Sequence, residues 1–378
     1  MKSGFRTIKL SAPVLFIFFA GAFSVTSVSS FVNIPSERLF FKLLTLIFLI
    51  FAIISLAFFS RPIRTKDLLK AILFALLFAV LAVTDLMNNS TLALIPILRL
   101  VGVLLVLLCL FSLKKLELEM LLKYFLAYGL LVSVISLVFF LTDFSRAEKF
   151  PIIEVYSNKS IIFEQNVFGI FIYLCVILLI NTRASKNIYS LRLGLFLFGI
   201  FMSFYRTVYG LTIISLISRL NIVIKFLITF YIGYMVTYNF DVITGVLKLE
   251  QILTLTGRTD LWAIGLTGFS ESPFLGMGES SIPEYSNEIL HRNPPFTTYH
   301  NVFVDVLYSA GSLGLIALMI FVLAMFEMVS SAKSKYLLLF LLAPSMFNTF
   351  YPFAPNILGL ITGTWIVLEY RKSTNRTP

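Results

Sequence analysis

Two histidines and a few arginines are the residues of this 378-residue chain whose type and setting could do chemistry. His300 stands in Tyr299-His300-Asn301, immediately before a long apolar run. A helix starting near Asn301 carries His300 at its end, where neutral imidazole can take a proton near neutral pH. That suits a general base acting on a sugar hydroxyl; helix capping or contact with lipid headgroups is the structural alternative. His291 lies in a Pro-rich turn and has the weaker context. Arg258 falls in Thr256-Gly257-Arg258-Thr259-Asp260-Leu261-Trp262, which leads into a short helix. Leu261, Ile264, Gly265 and Gly268 recur there at helical spacing, and the run stops at Ser272-Pro273. With Thr259 or Asp260 as N-cap, Arg258 lies beside free backbone N–H groups at a positive dipole end, an anion-binding arrangement.

Other polar residues sit in or beside apolar runs. Arg206 lies in Ser203-Phe204-Tyr205-Arg206-Thr207, between two short apolar stretches. It must reach headgroups or face a polar cavity. Arg99 is about two turns into an apolar run and three residues after Pro96. An intramembrane cation is a functional-site candidate by default, with a structural pair to Asp305 or Glu164 as the equal alternative. Glu164-Gln165-Asn166 opens a further apolar run, either as a polar helix start or as part of the site. In Pro273-Phe274-Leu275-Gly276-Met277-Gly278, the two glycines permit a ligand to approach the backbone closely.

What must position these residues follows from composition. The chain is 58% hydrophobic and only 13% charged, about half the charged fraction of an ordinary soluble domain. That excludes secreted, cytosolic and disordered classes and leaves an all-α, polytopic membrane protein. Apolar runs fall near 10–31, 39–59, 71–87, 92–113, 121–141, 162–180, 191–204, 207–218, 222–239, 302–326, 337–353 and 355–369. Twelve spans place both termini on one side. Lys2, Arg6 and Lys9 precede the first run in the manner of a signal peptide, but eleven further runs make it a first span.

Runs 191–204 and 207–218 are short. Fusing them would bury Arg206 near the bilayer centre, at a cost of about 2.5–3.5 kcal/mol. It would also move Arg219, Lys225, Lys333, Lys335, Arg371, Lys372 and Arg376 outside. Two short helices meeting at Arg206 on the outer face are therefore expected. With that choice the inner side carries about +15 and the outer side about −4, so both termini are cytoplasmic. The net charge of +11 then records topology, and no nucleic-acid partner is needed.

The chain reads as a single integral membrane domain over 1–378, with one large extracytoplasmic loop at 240–301 and a smaller one at 142–161. A loop of that length is usually functional. It carries both histidines, an amphipathic stretch Val242–Leu255, and short interfacial helices. Cys109 and Cys175 lie inside apolar runs, so neither a disulfide framework nor a thiolate site is expected. There is no Asp-x-Asp motif, no His- or Cys-rich cluster, no Walker A sequence and no Gly-x-Gly-x-x-Gly fingerprint. No metal and no cofactor are expected. Any activated group must arrive from the membrane or the outer side.

Taken together, Arg206 at a helix junction, Gly257-Arg258-Thr259-Asp260-Leu261-Trp262, Pro273-x-x-Gly276-x-Gly278 and His300-Asn301-x9-Gly311-x-x-Gly314 resemble the bacterial O-antigen polymerase/ligase superfamily. Phe163-Glu164-Gln165-Asn166 is similar to the family's Asn-containing upstream segment. The resemblance implies a GT-C-like glycosyltransferase of about 12 transmembrane helices in the bacterial inner membrane, its site facing the periplasm or exterior. It further implies an undecaprenyl-diphosphate-linked glycan donor, a glycan acceptor and no metal. Carried over, Arg206 and Arg258 bind the diphosphate and His300 is the base. Arg99, Glu164, Asn166, Gly276, Gly278, Asn301 and Asp305 are supporting candidates.

The family usually has Ser immediately before the first arginine; here Tyr205 stands there and Ser203 lies three residues back. The expected function is O-antigen or surface-polysaccharide polymerisation, because polymerases are commoner and the 142–161 loop offers a second glycan-holding surface. Ligation of the finished polymer onto lipid A core is the alternative, and a lipid-linked oligosaccharide flippase the remote one. Membrane lipids, a chain-length regulator and a flippase are the implied partners.

Overall fold

The computed structural model describes residues 11–25, 37–58, 63–88, 94–141, 165–180, 186–203, 206–217, 258–290, 298–346, 348 and 350–374. They form thirteen α-helices, and no strand occurs among them. In chain order these are α1 (Ala12–Val25), α2 (Glu37–Phe58), α3 (Thr65–Asn88), α4 (Leu94–Ser112) and α5 (Lys115–Leu141). Then come α6 (Gln165–Ile180), α7 (Lys186–Ser203), α8 (Arg206–Ile217), α9 (Arg258–Glu271) and α10 (Ile282–Leu290). The chain closes with α11 (Val302–Met328), α12 (Ala332–Leu342) and α13 (Ile357–Thr374), and 3-10 turns occupy Glu279–Ser281 and Ala343–Met346.

Helices that are apolar on every face must be surrounded, and two of them are. Every residue from Phe168 to Leu179 of α6 is buried, as is every residue from Ile357 to Leu368 of α13. α1, α4, α5, α7 and α11 each pack against one or both of these central helices. The outer helices bury one side and leave another side apolar but exposed. On α11 the exposed side runs Leu313, Ile316, Met319, Leu323, and on α3 it runs Leu69, Ile72, Leu76, Val83. Continuous apolar faces of this kind suit hydrocarbon and would aggregate in water. Three helices, Thr65–Asn88, Lys115–Val138 and Val302–Met328, are long and apolar enough to cross a bilayer; shorter apolar helices stand beside them.

Charged contacts gather at the two ends of the bundle. At one, Arg371 pairs with buried Asp67 at 2.9 Å, Lys372 with Glu369 at 2.6 Å, and Ser11 donates to Glu117 at 3.0 Å. At the other lie Asp85, Asn88, Arg99, Glu279, Asn301 and Asp305, which build the site described below.

Most expected runs are helical. α7 ends at Ser203 and α8 opens at Arg206, and residues 204 and 205 between them lie outside the described residues. The run 337–353 is different: its helix ends at Leu342, a 3-10 turn follows to Met346, and the described residues 348 and 350–356 are irregular. The reason is proline. Pro344, Pro352 and Pro355 each lack the N–H that a continuing helix needs. The run 222–239, the loop 142–161, the stretch Val242–Leu255, His291 and Glu164 lie outside the described residues.

Candidate active site

His300 is built by the residues on either side of it. The Tyr299 carbonyl accepts from the Trp262 indole at 3.1 Å, and the Tyr299 N–H donates to Asp305 at 2.6 Å. Asn301 is the N-cap of α11, its side-chain oxygen accepting from the N–H groups of Phe303 at 2.9 Å and Val304 at 3.3 Å. Between these two ties His300 adopts φ = 55°, a left-handed conformation that costs a side-chain-bearing residue about 1–2 kcal/mol. Such strain persists only where the surroundings over-determine it. Trp262, Asp305 and Asn301 do so here.

α9 brings Trp262 and Arg258 to this turn. Its buried face is Leu261, Ile264, Gly265 and Gly268, the set expected from the sequence. The two glycines let α11 come close: a Cβ at Gly265 would lie 2.5 Å from Val304 Cγ1, and one at Gly268 would strike the Tyr308 ring. Arg258 is the first residue of α9, with Thr259 and Asp260 exposed in its first turn, so neither is the N-cap. Arg258 itself is only 9% exposed.

The half-buried His300 ring has its Nδ1 3.4 Å from Asn348 Oδ1 and 3.5 Å from Thr298 Oγ1. In the tautomer whose Nδ1–H donates to the Asn348 amide oxygen, Nε2 is the basic nitrogen. Burial, together with the nearby Arg258 charge, holds the imidazole below its ordinary value, against a smaller opposing effect from Asn348. The ring is therefore neutral at pH 7 and able to take a proton.

Gly276 and Gly278 do something other than open the backbone to a ligand. α11 breaks at Gly311, which has φ 58° and ψ −150°. The segment 273–278 lies in the break as a strap: Met277 and Gly278 donate to the carbonyls of Tyr308 and Ser309 at 2.7 and 3.1 Å. In return Ser312 and Leu313 donate to the carbonyls of Pro273 and Phe274 at 2.8 and 3.3 Å. Gly276 approaches the backbone of Tyr308–Ala310, and Gly311 that of Pro273–Phe274, so closely that no Cβ fits at either. The spaced glycines thus join one segment of protein to another.

Arg99 also finds protein. Its Nη1 meets both carboxylate oxygens of Glu279, at 2.6 and 2.5 Å, and Glu279 was not among the sequence candidates. Asp85 and Asn88, from the end of α3, and Asn348 were likewise not anticipated. An acidic residue near the end of an apolar run was the available signal for Asp85. Asn348 carried none, lying in a stretch that reads as a span. Arg206 opens α8, with only its backbone described, and Asn166 is half-buried in the first turn of α6. Among the described residues no three His, Cys, Asp or Glu side chains gather as a metal site.

Residues 168–319, about two fifths of the chain, match a family model described as O-antigen ligase. No curated protein matches the chain significantly. The matched stretch runs from α6 through α11. It includes Arg206, Arg258, the strap and His300, and leaves out α3, α4 and Asn348.

Proposed function

From a chain whose residues 168–319 are an O-antigen ligase family domain, we propose an integral-membrane glycosyltransferase that takes glycan from an undecaprenyl-diphosphate carrier. The acceptor hydroxyl oxygen forms a bond to the anomeric carbon, and the bond from that carbon to the diphosphate oxygen breaks. His300 Nε2 receives the hydroxyl proton. Arg258, with Arg206, holds the diphosphate as its negative charge grows; guanidinium keeps its charge throughout and binds phosphate oxygens in pairs. No metal is needed, because the arginines supply the positive charge.

The observation that carries this reading is the neutral, half-buried His300, tied at the end of α11 and close enough to buried Arg258 to feel its charge. Within the family's chemistry we favour polymerisation of lipid-linked repeat units, with ligation onto lipid A core as the second form. The preference rests on the greater commonness of polymerases and on the length of the 142–161 loop.

The test is the surface glycan of a deletion strain complemented with variants. Arg258→Ala and His300→Ala should each lower glycan formation by about 10²-fold or more at normal protein level, and the wild type should remain active in excess EDTA. Full activity in both variants would remove the site, and strict divalent-ion dependence would remove the mechanism. A single repeat unit on lipid A after the loss marks a polymerase; polymer stranded on the carrier marks a ligase.

A further inference from the structure

The strap is held from outside the matched domain. Asn88 donates its amide to the Gly276 carbonyl at 3.1 Å, and Asp85 Oδ1 accepts from both the N–H and the hydroxyl of Ser280, at 2.7 and 2.8 Å. Arg99 takes the Glu279 carboxylate through the short contacts given above. These three residues come from the end of α3 and from α4, about half the chain away. Asp85 is fully buried, and its second carboxylate oxygen has no hydrogen-bond partner among the described residues. A buried carboxylate is costly unless partnered, and among the described residues the hydrogen bonds drawn to Asp85 come from Ser280 of the strap.

We infer that Asp85, Asn88 and Arg99 are positioning residues: by pinning segment 276–280 in the break of α11, they fix the short helical piece 302–310 that carries His300. The chain of contact is continuous. Without the strap, the Tyr308 and Ser309 carbonyls and the Ser312 and Leu313 amides lose their partners at the break. The helical piece above the break is then free to tilt, and the Asn301 cap and His300 at its tip move with it. Ser281, next to the pinned residues, adds a contact to the same piece through the Tyr308 hydroxyl at 2.9 Å.

This inference rests on His300 being the base, and the experiment separates the two. The purified full-length protein in nanodiscs is given undecaprenyl-diphosphate-linked repeat units extracted from the deletion strain, and released undecaprenyl diphosphate is followed. Arg99→Ala and Glu279→Ala should each lower kcat at least tenfold with the donor KM within about threefold. The double variant should be no worse than either single one, and the exchanged pair Arg99→Glu with Glu279→Arg should recover activity. Asp85→Asn, whose amide oxygen still accepts from Ser280, should keep more activity than Asp85→Ala.

A rise in KM without loss of kcat would make Arg99 a substrate ligand and overturn the inference. So would losses that multiply in the double variant, or unchanged activity. If the alanine variants melt early, the exchanged pair still decides, since a folded but inactive exchange counts against positioning. An inactive His300→Ala beside active clamp variants sinks the clamp alone, whereas an active His300→Ala sinks the base and the clamp's target together.

Discussion

At the scale of single residues, the state of His300 sets a pH dependence. The proposed role of His300 as base requires a neutral ring, and burial keeps its pKa below the ordinary 6.5. Activity should therefore hold at neutral pH and fall only as the pH drops below about 6.5. Among the described residues, Asn348, Thr298 and the Arg258 charge bear on the ring. Asn348→Asp places a carboxylate against Nδ1, which favours the imidazolium and should move the acid limb of the kcat/KM profile upward. Asn348→Ala should move the limb slightly downward and lower kcat, because the ring loses the group that fixes its tautomer. An acid limb identical in all three proteins would mean that a different group titrates. His300, Asn301 and Arg258 were legible in the sequence because their setting is local: a histidine and a cap at the head of an apolar run. Asn348 was not. It reaches His300 from 48 positions away, out of a stretch whose average hydropathy hides its prolines.

Between residues and the bundle stand the strap and the broken helix. The sequence showed where α9 ends, because Gly268, Ser272 and Pro273 act within a few positions of one another, but it placed the N-cap at Thr259 or Asp260, one or two residues inside the helix. It also showed Gly276, Gly278, Gly311 and Gly314 as spaced glycines. What three of them are for was not legible, since Gly276, Gly278 and Gly311 each work against backbone more than thirty residues away in the chain, whereas Gly314 packs against Val306 and Ala310 of its own helix. The distinction has a measurable consequence. Gly276→Ala and Gly311→Ala each place a Cβ at positive φ, which alone costs about 1–2 kcal/mol, and each drives that Cβ into opposing backbone. Both should lower the melting temperature and the amount of protein in the membrane together with activity. Gly194→Ala and Gly210→Ala meet nothing within 4 Å and replace glycine inside helices. They should be neutral or stabilising by up to about 1 kcal/mol. Equal behaviour of the two pairs would mean that the strap does not hold the helix break.

Across the whole molecule the charged contacts among the described residues fall at two ends, and the proposed topology puts those ends on the two sides of the membrane. Asp67, Glu117 and Glu369 are engaged at one end, with Arg371 and Lys372 among their neighbours and the basic segment at Lys333 and Lys335 nearby in the chain. Basic residues concentrate on the cytoplasmic side of inner-membrane proteins, so that end should face the cytoplasm and His300 should face out. Chemistry points the same way. Under the proposed function the donor is already activated on a lipid, so the site can work where nucleotides are absent. Cys109 and Cys175 are buried in the bundle, so a membrane-impermeant maleimide should find little background in the parent protein. Asn287 in α10 and Lys333 in α12 are both exposed and lie at the His300 end and the opposite end respectively. In intact cells Asn287→Cys should label, whereas Lys333→Cys should label only after the membrane is opened. Labelling in the reverse order would place His300 in the cytoplasm, where a periplasmic glycan could not reach it.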